Sequence, residues 1–204
     1  VAVPREAPGG LPVKLLDALA RGVPVACAPR AAAGTDAVRY AHVASDAHIT
    51  ARHTNHDDPI AEDDCFEIMF APDPGNPRQY FNIEWNVHGG YVDGHRPEGP
   101  SGPRAEWAIE GLRIAGTFSG TLNNDRDVDR WWTGEVAIPF ASLAQWMPQS
   151  PPRPGYLVRI SFNRDQSVTN LQYSHFSPGD TPQPAFHTPH RFGVVRFVQQ
   201  ESPP

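Results

Sequence analysis

The chain is short of the features that mark nucleic-acid, membrane and redox proteins. Among its 204 residues, 17 Lys and Arg stand against 23 Asp and Glu, a formal net charge of −6, so the basic stripe of a nucleic-acid surface is missing. No apolar run reaches bilayer-spanning length, and no membrane span is expected. No segment has the composition of a secretory leader, and the first residue is Val1 rather than methionine. That start fits a leader removed on export and equally a chain trimmed at its N-terminus; the expected location is secreted or periplasmic. Cysteine is nearly absent. Cys27 and Cys65 match no zinc spacing, and a disulfide on export and two buried thiols stand as equal readings. There is no nucleophile elbow, phosphate loop or His-Asp-Ser order, so no enzymatic activity is expected. Glu67, Glu84 and Glu135 are the carboxylates that could pair as acid and base, but nothing in the sequence fixes their separation.

Turn-forming residues are plentiful. With 23 prolines and 17 glycines the chain reads as loop-rich, with short strands rather than long helices, and its length suits one well-buried core. The organising stretch is 62–87, EDDCFEIMFAPDPGNPRQYFNIEWNV, two period-2 runs joined by a Pro/Gly turn. Phe66, Ile68 and Phe70 alternate with Cys65, Glu67 and Met69; Phe81, Ile83, Trp85 and Val87 alternate with Tyr80, Asn82, Glu84 and Asn86. A pleat sends alternate side chains to opposite faces, so this hairpin has an oily face and a polar one.

Further strands are predicted over 38–44, 48–54, 111–118, 131–139, 156–164, 169–176 and 193–198, with one helical turn at 141–147. Residues 88–110 show no periodicity and read as a surface loop carrying Trp107. The predicted fold is all-β, an antiparallel β-sandwich of immunoglobulin or jelly-roll type over 37–199, with an irregular extension at 1–36 and a tail at 200–204. Within the extension, Leu15, Leu16 and Leu19 have helical spacing, closed by Gly22 and Pro24. If the later strands share a sheet with the hairpin, Glu67, Asn82, Glu84, Glu135, Arg159 and Asn163 line one surface. Such a face suits a ligand covered in hydroxyls, since carboxylates and amides pair with them and Arg offers a fork of donors. Spacing alone favours a solvated sheet face whose charges satisfy one another, since such faces are common in antiparallel sheets.

The order of pieces resembles family 9 carbohydrate-binding modules. The resemblance rests on an FEIMF strand, YFNIEWNVHG, GTLNNDRDVDRWWTGEVAIPF, YLVRISFNR and HTPHRFGVVRF, and runs from about residue 40 to 198. It implies a β-sandwich that performs no chemistry, binds sugars with structural calcium and accompanies polysaccharide-degrading enzymes. Xylanase-attached members hold the sugar between two tryptophans. Those places fall here at Ile60 or Ala61 and at Phe186, so one platform is missing and the other is a smaller ring. The resemblance places Glu67 at a sugar-contacting glutamate, and Asn82 where an arginine is expected. Substitute platforms are sought at Trp131 and Trp107, while Trp85 and Trp132 fall on core faces.

For calcium the candidates are Asp63 and Asp64 and the alternate carboxylates Asp125, Asp127 and Asp129. The latter open like an EF-hand but lack its glycine and glutamate, having Arg130 and Val136 there. His53 and His56 with Asp57 form a weaker zinc candidate, and His187 and His190 repeat their spacing. The related superfamily also includes haem-binding domains with an axial Met, which directs attention to Met69 and Met147.

Overall fold

The computed structural model describes residues 37–103, 107–166, 173–175 and 185–197; the predicted extension and tail lie outside them. Among the described residues, nine strands form two antiparallel sheets. The smaller has the order β1 (Ala37–Ser45), β6 (Trp131–Pro139), β5 (Arg113–Ser119). The larger runs β4 (Tyr91–Arg96), β3 (Tyr80–Asn86), β2 (Cys65–Ala71), β7 (Leu157–Asp165), β8 (Tyr173–His175). β9 (Gly193–Arg196) pairs with the first half of β7, and β8 with its last residues.

The predicted hairpin is β2–β3, in register Phe66 opposite Trp85, Glu67 opposite Glu84 and Met69 opposite Asn82. Its oily face meets Trp132, Val136 and Ile138 of β6 and Val158 and Ile160 of β7 in one buried core, closed at one end by Leu143 and Met147. Trp85 and Trp132 are fully buried, as their strand faces predict. The expected turn near 141 is a 3-10 turn, Phe140–Leu143.

Two expectations fail. Residues 48–54 are no strand, because side chains claim their amides. Asp64 accepts from Thr50 N, Asn123 Oδ1 from Ala51 N (2.8 Å), and Asp63 Oδ2 from both Arg52 N and His53 N (2.9 Å each). In the other direction, residues 91–96 of the predicted loop are β4, hydrogen-bonded along β3 from Trp85–Tyr91 to Tyr80–Arg96. Gly94 and the charged residues beside it hide that strand from a hydrophobic periodicity.

Candidate functional site

Alternation along β2, β3 and β7 places Glu67, Asn82, Glu84, Ser161, Asn163 and Asp165 on the outer face of the larger sheet. Glu67 faces Glu84 on one side and Asn163 on the other, and Met69 lies between Asn82 and Ser161. Ser161 and Asp165 were not singled out from the sequence, although carrying the β7 alternation through its own period reaches both. The outer face is not a freely solvated one. Glu67 is 2% exposed and Asn82 4%, while Glu84 and Asp165 are half-buried.

Within this patch Ser161 Oγ donates to Asn163 Oδ1 (2.9 Å), and Asn163 Nδ2 donates to Glu67 Oε2 (3.0 Å). Asn82 Nδ2 lies 3.4 Å from Glu84 Oε1. Acceptors outnumber donors. Glu67 Oε1, Asn82 Oδ1 and Asp165 Oδ1 are buried with no hydrogen-bond partner among the described residues. Carboxyls crowded in a desolvated place resist ionisation. Burial first, then the charges of Glu84 and Asp165, lifts Glu67 well above the usual carboxylate range. Burial and Glu84 push Asp165 up to about 7. The neighbouring Cys65 is a free, buried thiol, raised by burial and by the same acids.

The other end of the face is apolar. Met69, Ala71, Tyr80 and Phe192 are buried together, with Phe186 half-buried against them. Tyr80 Oη and His187 Nδ1 are 2.7 Å apart; burial raises the phenol to about 12 and lowers the imidazole, which the Arg96 charge lowers further. Arg159, opposite Ala71, stands at this end and donates to Phe192 O (3.3 Å). Four residues of extended chain separate Ala71 from Glu67, roughly 13 Å.

Glu135 does not join this surface. It pairs with Ala41 and Ala115 in the smaller sheet and is exposed on that sheet's outer side, as is Trp131, at 37%. A period of 2 assigns a residue to one side of its strand, but says nothing about which sheet the strand enters. Trp107 is half-buried at the core edge, tilted against Phe81 (4.5 Å) and edge-on to Trp146 (5.8 Å). Ile60, at the absent tryptophan's place, is fully buried.

Several of the acidic residues named for calcium accept hydrogen bonds from the backbone. Asp63 Oδ2 accepts from Arg52 N, His53 N and Asn86 Nδ2, and Asp129 accepts from Ile49 N and Thr121 N (2.7 Å each). Asp127 takes the Thr121 hydroxyl (2.8 Å) and Asn124 Nδ2 (2.8 Å), and Asp125 is exposed. These five carboxylates form no group of three convergent ligand atoms among the described residues, so a calcium ion here would draw its remaining oxygens from backbone carbonyls, amide side chains and water. The haem candidates are separated by the larger sheet: Met69 is buried on its outer side and Met147 in the inter-sheet core.

The model of carbohydrate-binding family 9 matches residues 23–197. No curated protein is significantly similar to the chain. Among solved structures, a proposed carbohydrate-binding protein from Bacteroides uniformis ATCC 8492 has a TM-score of 0.58 at 19% identity, covering 79% of this chain and 72% of its own. A family 9 carbohydrate-binding module from Caldicellulosiruptor kristjanssonii, in complex with cellotriose, has a TM-score of 0.51 at 11% identity, covering 81% and 71%. At such identities these two likenesses concern the sandwich fold.

Proposed function

Since the chain belongs to carbohydrate-binding family 9, we propose that it is a non-catalytic module holding a poly- or oligosaccharide on the outer face of its larger sheet. Glu67, Asn82, Glu84, Asn163 and Asp165 address hydroxyls, Arg159 offers donors at the far end, and Phe186 is the aromatic platform. The observation that carries this reading is the set of buried polar atoms, Glu67 Oε1, Asn82 Oδ1 and Asp165 Oδ1, that no described residue satisfies. Leaving a buried polar atom unpaired costs about 1–3 kcal/mol, so three on one face call for a hydrogen-bonding partner from outside, one that can meet a carboxyl in either protonation state. Sugar hydroxyls donate and accept at once, and a pyranose face packs on an aromatic ring. Export, and work beside a polysaccharide-processing enzyme, belong to the same proposal.

Cellotriose, the ligand of the Caldicellulosiruptor module, is the first probe. Affinity electrophoresis over cellulose, xylan, pectin and host-type glycans should retard the folded protein on at least one of them. Glu84→Gln, at a half-buried position, should weaken that retention without lowering the melting temperature. No retention on any glycan would defeat the reading and leave a sandwich that serves as an accessory scaffold.

A further inference from the structure

Away from that face, His56, Asp57 and Asp93 bring one imidazole nitrogen and two carboxylate oxygens within 4.8 Å of one another. We propose that this triad is a site for a zinc-like divalent cation that pins the 54–58 loop to β4. The ligand set argues the class. Imidazole nitrogen suits zinc and its neighbours in the transition series, whereas calcium prefers oxygen alone.

The spacing agrees. His56 Nε2 lies 2.8 Å from Asp93 Oδ1 and 3.6 Å from Asp57 Oδ2. Ligand atoms bound tetrahedrally at about 2.0–2.1 Å stand about 3.3 Å apart, between the two observed values. Small side-chain adjustments therefore admit the ion without moving the backbone.

The ligands are also held. Asp93 Oδ2 accepts from Ile109 N (2.7 Å), which leaves Oδ1 directed at His56. The His56 ring stacks on Tyr91, centroids 4.4 Å apart and planes 23° from parallel. Asp57 N donates to Tyr91 O (2.8 Å) while Asp57 keeps a left-handed φ of 63°. Outer partners that orient ligands in this way are the usual companions of a metal site. Access is one-sided. The Asp93 side chain is wholly buried, whereas those of His56 and Asp57 are 36% and 52% exposed, leaving a solvent side for a fourth ligand such as water.

His53, the partner that sequence spacing suggests for His56, lies instead 3.6 Å from Glu62. Asp93 takes its place from 37 positions along the chain, through β4.

The test uses tag-free protein stripped by chelator and titrated with zinc alone at about pH 7.5, where imidazole is neutral. Calorimetry and metal analysis after gel filtration should find one equivalent bound, with the melting temperature raised. Cobalt should give the visible absorption of a four-coordinate site. His56→Gln should abolish this equivalent and Asp57→Asn weaken it by more than about tenfold; metal-free Asp57→Asn should melt like the wild type, and metal-free His56→Gln somewhat lower, because it also loses the His56–Asp93 contact, while still folded at the assay temperature. Folded wild type that takes up no saturating zinc, or His56→Gln protein that binds it as tightly, would overturn the proposal.

Discussion

Phe66 of β2 and Trp132 of β6 stack across the sandwich with ring centroids 3.9 Å apart and planes 21° from parallel. Gly134 stands two residues further along β6, on the same inward side. A Cβ there would meet Trp85 Nε1 at 2.6 Å and Phe66 Cδ2 at 2.7 Å, so glycine is what lets the rings close. Gly134→Ala should destabilise the protein by about 1–3 kcal/mol through overpacking. The reading is a lower urea midpoint at unchanged slope. A midpoint equal to that of the wild type would mean the core gives way freely at this point.

Protonation of the sheet face should be visible in stability. Asp165 is raised to about 7, by burial and then by Glu84, and Glu67 is also raised. In the unfolded chain both carboxyls titrate near about 4. From there up to about 7 the folded protein keeps protons the unfolded chain has lost, so these groups subtract stability progressively as pH rises. Above the folded value of Asp165 its contribution is constant. Asp165→Asn removes that contribution, and its melting temperature should gain on the wild type between about pH 4 and 7. His95 and His187, lowered first by burial, oppose folding as pH falls, but they are common to both proteins and drop out of the difference. A difference that stays flat over the window would refute the assignment.

The sequence made the hairpin plain because Phe66, Ile68, Phe70, Phe81, Ile83 and Trp85 are both apolar and alternate, the two conditions a half-covered sheet imposes. It therefore made Glu67, Asn82 and Glu84 plain too, as the opposite phase of the same runs. Glu135 shows the limit. Its strand has the same alternation, but pairing partners 94 and 20 positions away, Ala41 and Ala115, decide that it belongs to the other sheet. The segment 48–54 looked extended by composition, and its amides bond to side chains of Asp63, Asp64 and Asn123, which no local pattern announces. Asp93 was hidden for the same reason as β4 itself.

Asp129 is expected to act as a brace. Its carboxylate, almost fully buried, accepts from Ile49 N and Thr121 N and so ties the segment before β2 to the loop before β6. Asp129→Ala strands two amides and should cost about 2–5 kcal/mol, read by denaturant midpoint. Asp63 is similarly engaged; the calcium expected from the family resemblance should raise the melting temperature relative to chelator, and superimposed curves would remove it. The shift follows from mass action, since a ligand that binds only the folded form stabilises it.

Phe186 and Trp131 offer the sharpest separation of the two outer faces. Phe186 is half-buried against Met69, Ala71, Tyr80 and Phe192 on the larger sheet, whereas Trp131 is exposed on the smaller one, on the face that also carries Glu135. If the ligand lies on the larger sheet, Phe186→Ala should raise the Kd of whichever glycan binds by about fivefold or more, an aromatic contact being about 1 kcal/mol. Trp131→Ala and Glu135→Gln should leave it unchanged. Folding must be monitored alongside, because truncating Phe186 also removes packing from Tyr80 and Phe192, and a fall in melting temperature alone would not report on the sugar. The informative quantity is the Kd of protein that is still folded at the assay temperature. Should Trp131→Ala and not Phe186→Ala weaken binding, the ligand belongs on the smaller sheet, and the acceptors around Glu67 require another explanation.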